Sequence, residues 1–375
     1  MKTKIILFVL LSSGLLASCG APAQTGETEV TDMVGRKVKV NAGSYNKVVC
    51  IGAGALRLYS YIGEVSKLAG VEDIDNENLS ERPKMFDGVA RPYVLANGDI
   101  FKTLPSCGVG GPNAQTAEGE KILSCKPDIV FSEYEDKDKA DSLSTLLGVP
   151  VITLAFGKGG MLDQDLWSKS MKLIGQVMNK EERANALINY YDSSIKEISD
   201  KTKDITEKKK AYICGLGNWG TTDQFMTSGA YEPFRIANIE NVAKDIASSG
   251  VAKIDEEKFA SLSKDMDTMI FDAAAVKNIR GKGFDFSSCK AFETGEVYLQ
   301  MAYNAYYINV ETALMNTYFC AKSVYPSLFE DIDMEKKANE ITKMFNGKEL
   351  YNEIKAKPQS FGGYQKIADP AAFFA

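Results

Sequence analysis

Along most of this chain, short segments with the hydrophobic pattern of β-strands alternate with segments that have the hydrophobic pattern of α-helices. Residues 32–40, "DMVGRKVKV", alternate around a Gly-Arg turn and predict a β-hairpin. Residues 47–63, "KVVCIGAGALRLYSYIG", predict a short apolar strand, a glycine-rich turn and a helix. The stretches "GEKILSCKPDIVFSEY" and "LSTLLGVPVITLAF" each predict a helix that leads into a further strand. Strands that alternate with helices favour parallel βα units.

The pattern changes in the middle of the chain. From Asp163 to about Lys208 the sequence predicts helices without a strand between them, including a long amphipathic helix near residues 181–203. Strand patterns then return in "KAYICGLG", "MDTMIFDA" and "EVYLQMAY", and helices are predicted in "ENVAKDI", "DEEKFASLS", "VETALMNTYFCAKSVY" and "MEKKANEITKMF". We therefore expect an α/β fold: two α/β lobes with central, mostly parallel sheets, joined by a long connecting α-helix. The expected bounds are 29–160 for the N-terminal lobe, 161–208 for the helical connector and 209–375 for the C-terminal lobe.

The N-terminus has the features of a secretion signal. Lys2 and Lys4 precede a short apolar run that ends in the tetrad "LASC". The run is shorter than the roughly 20 apolar residues that a membrane span needs. The tetrad resembles a bacterial lipobox, so we expect a signal peptide at 1–18, a lipidated Cys19 and a flexible tether at 19–28. The alternative is an ordinary signal peptide with an unrelated cysteine. In the lipobox interpretation, the protein is extracytoplasmic and membrane-anchored through its lipid alone.

Composition restricts the chemistry. The chain has 375 residues, of which 45% are hydrophobic, and this is enough for two cores. Its formal net charge of -6 gives no support to nucleic-acid binding, which needs a basic face. Seven cysteines without a CxxC motif do not suggest zinc, and no disulfide pair can be assigned. The chain has no histidine, which removes Ser-His and Cys-His nucleophilic pairs and histidine ligation of haem.

The order of these segments resembles a known family. Lipobox, "DMVGRKV", "KVVCIGAGALRLYSYIG", "KPDIVF", long helix and second α/β lobe together resemble the substrate-binding proteins of ABC importers whose lobes are joined by one rigid helix. The resemblance implies a monomer that binds a small molecule between its lobes. It also implies delivery of that ligand to a permease dimer with its ATPase subunits. Members of this class bind iron-siderophores, haem, cobalamin or oxyanions such as molybdate.

Three stretches resemble one branch of that family more specifically. "ARPY", "GVGGPN" and "YNAYYINVETALMNTYF" resemble the branch labelled as iron or iron-complex binding. We therefore expect an iron chelate of the siderophore type as the ligand, with no covalently bound cofactor and no metal site built by the protein itself. A molybdate- or tungstate-type oxyanion and a corrinoid remain alternatives, and the missing histidines weaken the case for haem.

Arginines and aromatic residues are concentrated where a ligand would bind. Ligands of α/β sheets lie beyond the carboxyl ends of the strands, and the loops predicted there are rich in these residues. A metal chelate offers flat π faces and negative charge, which suit aromatic rings and guanidinium groups. The expected ligand-binding residues are Arg57, Arg91, Tyr93, Tyr134, Trp219, Tyr231, Arg235, Tyr303 and Tyr307.

Each of these residues also has a packing alternative. Arg57 could form a surface ion pair, and the glycines of "GVGGPN" could form only a tight turn. Tyr303 and Tyr307 would share one helix face if the helix that follows them began early. On that basis we expect at least one of the two in the cleft, and Tyr318 in the core.

The resemblance also implies two docking residues. In the family, one glutamate on each lobe contacts arginines of the two permease subunits. "EKILSCKPDIVF" places Glu120 at the first position, and "EKFASLSKDMDTMIF" places Glu257 at the second. The alternative is that both glutamates only stabilise their helix N-termini through the helix dipole. Glu118 and Glu256 are the neighbours most easily confused with them.

Two other classes of protein remain. "GAGALR" is a shortened form of a dinucleotide-binding turn, but the full G-x-G-x-x-G is missing. Without histidine or a recognisable pair of catalytic carboxylates, we do not expect an enzyme. A surface scaffold lipoprotein is the more distant alternative, and the sequence shows no repeats in its favour.

Overall fold

The computed structural model describes residues 26–111, 114, 116–134, 136–217, 222–246 and 249–375. The predictions on the signal peptide, on Cys19 and on Trp219 lie outside these residues. None of the helices in the described ranges has the length and apolar character that crossing a membrane would require.

The N-terminal lobe contains the predicted hairpin and a parallel sheet. Its strands are β1 (Glu27–Thr31), β2 (Lys37–Asn41), β3 (Val48–Ile51), β4 (Leu68–Gly70), β5 (Ile129–Ser132), β6 (Val151–Thr153), β7 (Gly157–Lys158) and β8 (Met161–Leu162). Its helices are α1 (Ala55–Ile62), α2 (Pro92–Phe101), α3 (Gly119–Ser124) and α4 (Lys137–Leu147). β1 and β2 pair antiparallel, with Val30 opposite Val38. Among the described residues, a four-stranded sheet has the order β4-β3-β5-β6, and all of its pairs are parallel.

Two helices form the connector, α5 (Gln164–Met178) and α6 (Glu181–Thr202). The prediction of a long amphipathic helix is confirmed, because α6 buries an apolar stripe that includes Leu187, Tyr191 and Ile198. Its 22 residues give a length of about 33 Å. α5 and α6 pack closely at Gly175, where a Cβ would lie 2.8 Å from the Ala184 Cβ. A larger residue at Gly175 would therefore push the two connector helices apart.

The C-terminal lobe contains the second sheet. Its strands are β9 (Lys210–Cys214), β10 (Met226–Thr227), β11 (Glu240–Asn241), β12 (Ala252–Lys253), β13 (Thr268–Asp272), β14 (Val297–Gln300) and β15 (Gln365–Lys366). Its helices are α7 (Glu232–Ile236), α8 (Glu256–Ser263), α9 (Ala273–Ile279), α10 (Lys290–Thr294), α11 (Val310–Val324), α12 (Met334–Asn346), α13 (Tyr351–Ala356) and α14 (Pro370–Phe374). In the described part of the chain, the sheet order is β11-β9-β13-β14-β15, and only β15 runs antiparallel to its neighbour.

Two local predictions were wrong. "ENVAKDI" forms the short strand β11 and then turns, not a helix, because the Asn241 side chain bonds to backbone on both sides. Its amide nitrogen donates to Ser228 O at 2.8 Å, and its oxygen accepts the Ala243 N–H at 2.9 Å. The helix that follows the tyrosine cluster begins at Val310, so residues 303–307 precede it and do not share a helix face.

The two lobes share one apolar core. A continuous cluster of buried side chains runs from Val30 in the hairpin to Ile354 in α13. Within the described residues, α12 and α13 pack against α1 and α2 of the N-terminal lobe. Arg183 of α6 joins both sides, since it donates to Tyr61 O at 3.0 Å and also to Met344 O. The exact lobe boundaries stay a prediction, but α12 and α13 bridge the two lobes.

Candidate functional site

The strand ends of the two lobes face each other, and loops from both sheets meet between them. Asn304, just after β14, donates to Gly160 O at 3.0 Å and to Gly217 O at 2.8 Å. The Leu162 N–H donates to the Tyr303 hydroxyl at 3.1 Å. These contacts join the loop that follows β6 to the loops that follow β9 and β14. The meeting point is therefore the place where a ligand of such sheets is expected.

Arg57 is at the centre of this meeting point. It is completely buried on α1, and its guanidinium donates to Ala305 O at 2.9 Å and to Tyr306 O at 3.2 Å. The group also lies 4.8 Å from the centre of the Tyr93 ring. Among the described residues, no carboxylate lies within ion-pair distance of Arg57, and its Nε has no hydrogen-bond partner. The surface ion-pair interpretation is therefore wrong. Carbonyl dipoles and an aromatic ring contact the guanidinium, and the buried Glu311 carboxyl, whose pKa is raised by burial, is an electrostatic neighbour beyond ion-pair distance.

Arg91 and Tyr93 converge on one carboxylate that the sequence analysis missed. Arg91 Nη1 lies 2.6 Å from Asp75 Oδ1, and the Tyr93 hydroxyl donates to the same oxygen at 2.6 Å. Arg91 is the N-cap residue of α2, directly before Pro92, and its side chain is buried. The other side of the Arg91 guanidinium lies 5.1 Å from the centre of the Tyr306 ring. An aspartate in a strand-end loop gives no specific sequence signal, so Asp75 could not be singled out.

A second buried carboxyl lies beside the glycine-rich loops. Glu72 accepts the Gly52 N–H at 3.0 Å, and burial raises the pKa of its carboxyl to about 8. A Cβ at Gly110 would lie 2.7 Å from Glu72 Oε2, and Gly110 has a φ of 71°, so this turn needs glycine. At neutral pH Glu72 mostly keeps its proton.

Two of the predicted tyrosines pack behind the contact between the lobes. Tyr231 donates to Gln300 Oε1 at 2.8 Å, and the rings of Tyr231 and Tyr303 lie 5.7 Å apart. Both residues are fully buried. The Tyr303 N–H also donates to Asp272 Oδ2 at 2.8 Å, and burial raises the pKa of Asp272 to about 7. These residues support the loop after β14 from below.

Two further predicted site residues are more peripheral, and Tyr318 is a core residue. Tyr134 is half-buried after β5, and its hydroxyl donates to Ala114 O at 2.9 Å. Arg235 lies on α7 with 70% of its side chain exposed, 3.4 Å from Glu232 Oε1. Tyr318 lies in the core on α11, as expected. A direct ligand contact at Tyr134 or Arg235 stays a prediction.

The tyrosines after β14 reach into the N-terminal lobe. Tyr307 places its ring 4.8 Å from Phe156. Tyr306, which we did not select from the sequence, lies edge-on to Phe86 at 4.8 Å and donates to Pro83 O at 3.0 Å. Both tyrosines have left-handed backbones, with φ of 50° and 72°. No sequence signal distinguishes a tyrosine held in this way from its neighbours.

The two predicted docking glutamates are both exposed in the first turn of a helix, Glu120 on α3 and Glu257 on α8. Their neighbours have other roles. Glu118 accepts the Val109 N–H at 2.6 Å and lies 2.8 Å from Lys121 Nζ, while Asp255 caps α8. Within the described residues, neither Glu120 nor Glu257 has an ion-pair partner.

Two α/β lobes that meet at their strand ends and are joined by helices define a bilobal binding protein. The family model for periplasmic binding proteins matches residues 48–284, which is more than half of the chain. The chain therefore belongs to this family, whose members are solute-binding proteins of ABC transporters and not enzymes.

Two characterised relatives are similar in sequence. The chain is 21% identical to the iron-uptake system-binding protein of Bacillus subtilis over 56% of this chain, but it spans only 61% of that relative's length. It is 22% identical to the molybdate-binding protein MolA of Haemophilus influenzae, over 92% of this chain and 97% of that one.

Solved structures confirm the fold. A periplasmic solute binding protein from Veillonella parvula superimposes with a TM-score of 0.68 at 20% identity, over 88% of this chain and 96% of that one. MolA bound to molybdate superimposes with a TM-score of 0.64 at 18% identity, over 86% and 98%. The prediction of two lobes with mostly parallel sheets is therefore confirmed.

Proposed function

We propose that this protein captures a small anionic metal complex between its lobes, an iron chelate of the siderophore type, and delivers it to an ABC permease dimer with its ATPase subunits. The observation that carries the proposal is the pair of buried arginines, Arg57 and Arg91, at the point where the lobes meet. Among the described residues, Arg91 forms an ion pair with Asp75, whereas Arg57 forms none and interacts only at longer range with Glu311, a carboxyl whose pKa is raised by burial. The Arg57 guanidinium is therefore desolvated without an ion-pair partner, which favours an anion.

Aromatic side chains support a chelate as that anion. The Tyr93 ring lies against Arg57 and the Tyr306 ring against Arg91, and the neighbouring Tyr307 ring packs on Phe156. Such rings contact the flat ligand groups of a metal chelate well. The similarity to an iron-uptake binding protein is consistent with this choice.

A compact oxyanion of the molybdate type is the second candidate. It is favoured by the similarity to MolA along 97% of that protein. It is also favoured by the close contact between the lobes. A Cβ at Gly111 would lie only 3.1 Å from the Tyr306 ring. A bulky chelate would require a larger separation of Gly111 from Tyr306 than a small oxyanion would.

A ligand panel tests the proposed function. Purified protein is titrated with a ferric catecholate chelate, a ferric hydroxamate chelate, molybdate and cobalamin, with thermal stability and calorimetric affinity as the readouts. We expect stabilisation by one anionic compound and loss of that effect in Arg57→Met. The matched control is Arg280→Met, an exposed arginine on the C-terminal lobe. Stabilisation by cobalamin alone, or equal binding by the Arg57→Met variant, would contradict an anion site at Arg57.

Permease docking needs a separate test. We expect Glu120→Lys combined with Glu257→Lys to reduce uptake in cells while ligand affinity in solution stays unchanged, because rim ion pairs affect association with a partner. The control is Glu182→Lys combined with Glu353→Lys, two exposed glutamates in the first turns of α6 and α13. Normal uptake by the first variant, or loss of its ligand binding, would show that these glutamates are not the docking residues.

A further inference from the structure

One short turn of the C-terminal lobe covers both buried arginines of the N-terminal lobe. We call residues 304–308 the tyrosine turn. Its carbonyl oxygens at Ala305 and Tyr306 accept hydrogen bonds from Arg57, at 2.9 and 3.2 Å. Its Tyr306 ring lies 5.1 Å from the Arg91 guanidinium. Arg57 lies on α1 and Arg91 directly precedes α2, so this turn covers two residues from different segments of the N-terminal lobe.

The Tyr306 ring fits into a defined slot of the N-terminal lobe. Phe86 contacts the ring edge-on at 4.8 Å, and Pro83 O accepts the hydroxyl proton at 3.0 Å. Gly111 closes the slot on a further side, because a Cβ there would approach the ring to 3.1 Å. Since Arg91 is buried, an anion can reach this face of its guanidinium only after the ring has moved.

The backbone of the tyrosine turn is held in an unfavourable conformation. Tyr306 and Tyr307 are consecutive non-glycine residues at φ of 50° and 72°, in the sparsely populated left-handed region. Such a conformation persists only when its surroundings enforce it. A bridge between Asn304 and Ile308 closes the turn at its base. If the Tyr306 ring loses its contacts with the N-terminal lobe, the backbone of the turn can relax from its left-handed conformation. This relaxation favours a second position of the turn, outside the slot.

The apolar contact beneath the turn is small. Ala302 and Ala305 pack with Ala274 against Val89 and Phe86 of the N-terminal lobe, in a cluster separate from the main core. Alanine buries little apolar surface, so this contact holds the turn weakly. Ile308 at the end of the turn belongs to the shared core and Tyr307 packs against that core, so the movement is confined to the Tyr306 side of the turn.

We propose that Tyr306 is a gate over Arg57 and Arg91, and that an anionic ligand binds by replacing the tyrosine turn on both guanidinium groups. That the ligand is an anion rests on the proposed function. That Tyr306 covers the two arginines and can move away from them does not rest on it. A neutral solute gains no charge interaction with the arginines and cannot compensate for the contacts that the turn gives up. Tyr306 thus contributes to specificity for anions.

The first test uses the full mature chain without any ligand. Phenylglyoxal modifies accessible arginines, and mass spectrometry assigns the rate for Arg91. We choose Tyr306→Asn because asparagine tolerates a left-handed backbone. We expect this change to raise the modification rate of Arg91 about fivefold or more, the ratio that corresponds to one lost cation–π contact. Tyr306→Phe keeps the ring and should leave Arg91 protected, as should the control Tyr298→Phe on β14. Equal protection of Arg91 in Tyr306→Asn, with an unchanged circular dichroism spectrum, would overturn the gate.

A measurement on the unmodified protein keeps the proposal testable if Tyr306→Asn fails to fold. Backbone amides of residues 305–309 should exchange hydrogen through a local opening, faster than those of β13 and β14. Exchange of all three segments at one common, globally limited rate would overturn the gate.

The second test adds molybdate or a ferric catecholate chelate. We expect one of these anions to protect Arg91 in Tyr306→Asn and to bind that variant about fivefold more tightly than the unmodified protein, because the competing ring is gone. If phenylglyoxal modifies Arg91 in the variant and neither anion protects it, the ligand is not an anion at this site and the proposed function is overturned. The gate proposal would still stand in that case. Weaker binding of the protecting anion by the variant would show that Tyr306 is a ligand contact and not a gate.

Discussion

Replacement of Arg91 by methionine tests the buried ion pair that organises the N-terminal side of the site. Arg91 and Asp75 lie 2.6 Å apart, and each side chain is at most 4% exposed. Arg91→Met keeps most of the side-chain volume but leaves the Asp75 carboxylate buried without its cation. Removal of one partner of such a pair costs about 3–5 kcal/mol of unfolding free energy. We expect a value near the lower limit, about 3 kcal/mol, because the Tyr93 hydroxyl still donates to Asp75.

A double-mutant cycle isolates the pair from other effects. Asp75→Asn should also destabilise the protein, because it leaves the Arg91 charge buried. The double variant Asp75→Asn with Arg91→Met should cost less than the sum of the single changes, by about 2 kcal/mol, since neither charge remains. Urea unfolding followed by circular dichroism measures all four proteins. Single changes that each cost less than about 1 kcal/mol and simply add would refute the claim that this pair is a strong buried interaction.

The same variants separate a ligand contact from a structural role. If Arg91 contacts an anionic ligand, Arg91→Met should weaken binding by about 2 kcal/mol or more, the range for a charge-assisted hydrogen bond. Asp75→Asn should then leave binding equal or tighter, because it removes a competing negative charge. Equal weakening by both variants in calorimetry would mean that Arg91 acts only through the shape of the site.

Three further predictions follow from the sequence and the structure. Cys19→Ala should release the protein from membranes into the soluble fraction, and unchanged membrane attachment and processing would contradict the lipobox. The Glu72 carboxyl has a pKa of about 8 in the folded protein against 4.5 as its ordinary value, so its contribution to stability is full below pH 4.5 and is lost as the pH rises through 8. In urea unfolding, Glu72→Gln should remove this decline of up to about 1.4 kcal/mol per pH unit, and an identical pH profile would contradict the assignment. Because α6 is a continuous helix, ligand binding should change small-angle scattering only slightly, and a large domain rotation would contradict this.

Most of the fold could be predicted because each element has a local signal. The strands β3, β5, β6, β9, β13 and β14 are short apolar runs between turn residues, and α6 has the period of an amphipathic helix. The exceptions depend on single side chains. Asn241 redirects its own backbone through two hydrogen bonds. The sequence pattern around it is that of a helix, so these hydrogen bonds could not be predicted from it. The packing of α12 against the N-terminal lobe involves contacts between residues far apart in sequence, which no local pattern encodes.

The site could be predicted in composition but not in its detailed contacts. Arg57, Arg91 and Tyr93 were selected because arginines and tyrosines at strand ends suit an anionic ligand, and the structure brings these three together. Which of them has a buried carboxylate partner depends on Asp75, from a different loop. An arginine with an ion-pair partner and an arginine without one have the same sequence pattern, so only the three-dimensional structure separates Arg57 from Arg91.

The tyrosine cluster shows how neighbouring residues of one type acquire different roles. Tyr303 lies below the contact between the lobes, fully buried, with its hydroxyl accepting a backbone N–H. Tyr306 crosses into the N-terminal lobe and lies over Arg91. The difference arises from the left-handed backbone at Tyr306 and Tyr307, which reverses the direction of the chain within two residues. That conformation is unfavourable for tyrosine on its own and is stabilised by the bridge at the base of the turn together with contacts from the other lobe. The role of each tyrosine is therefore a property of the assembled lobes, and a change in the N-terminal lobe, at Phe86 or Gly111, should alter the position of Tyr306 as much as a change in the turn itself.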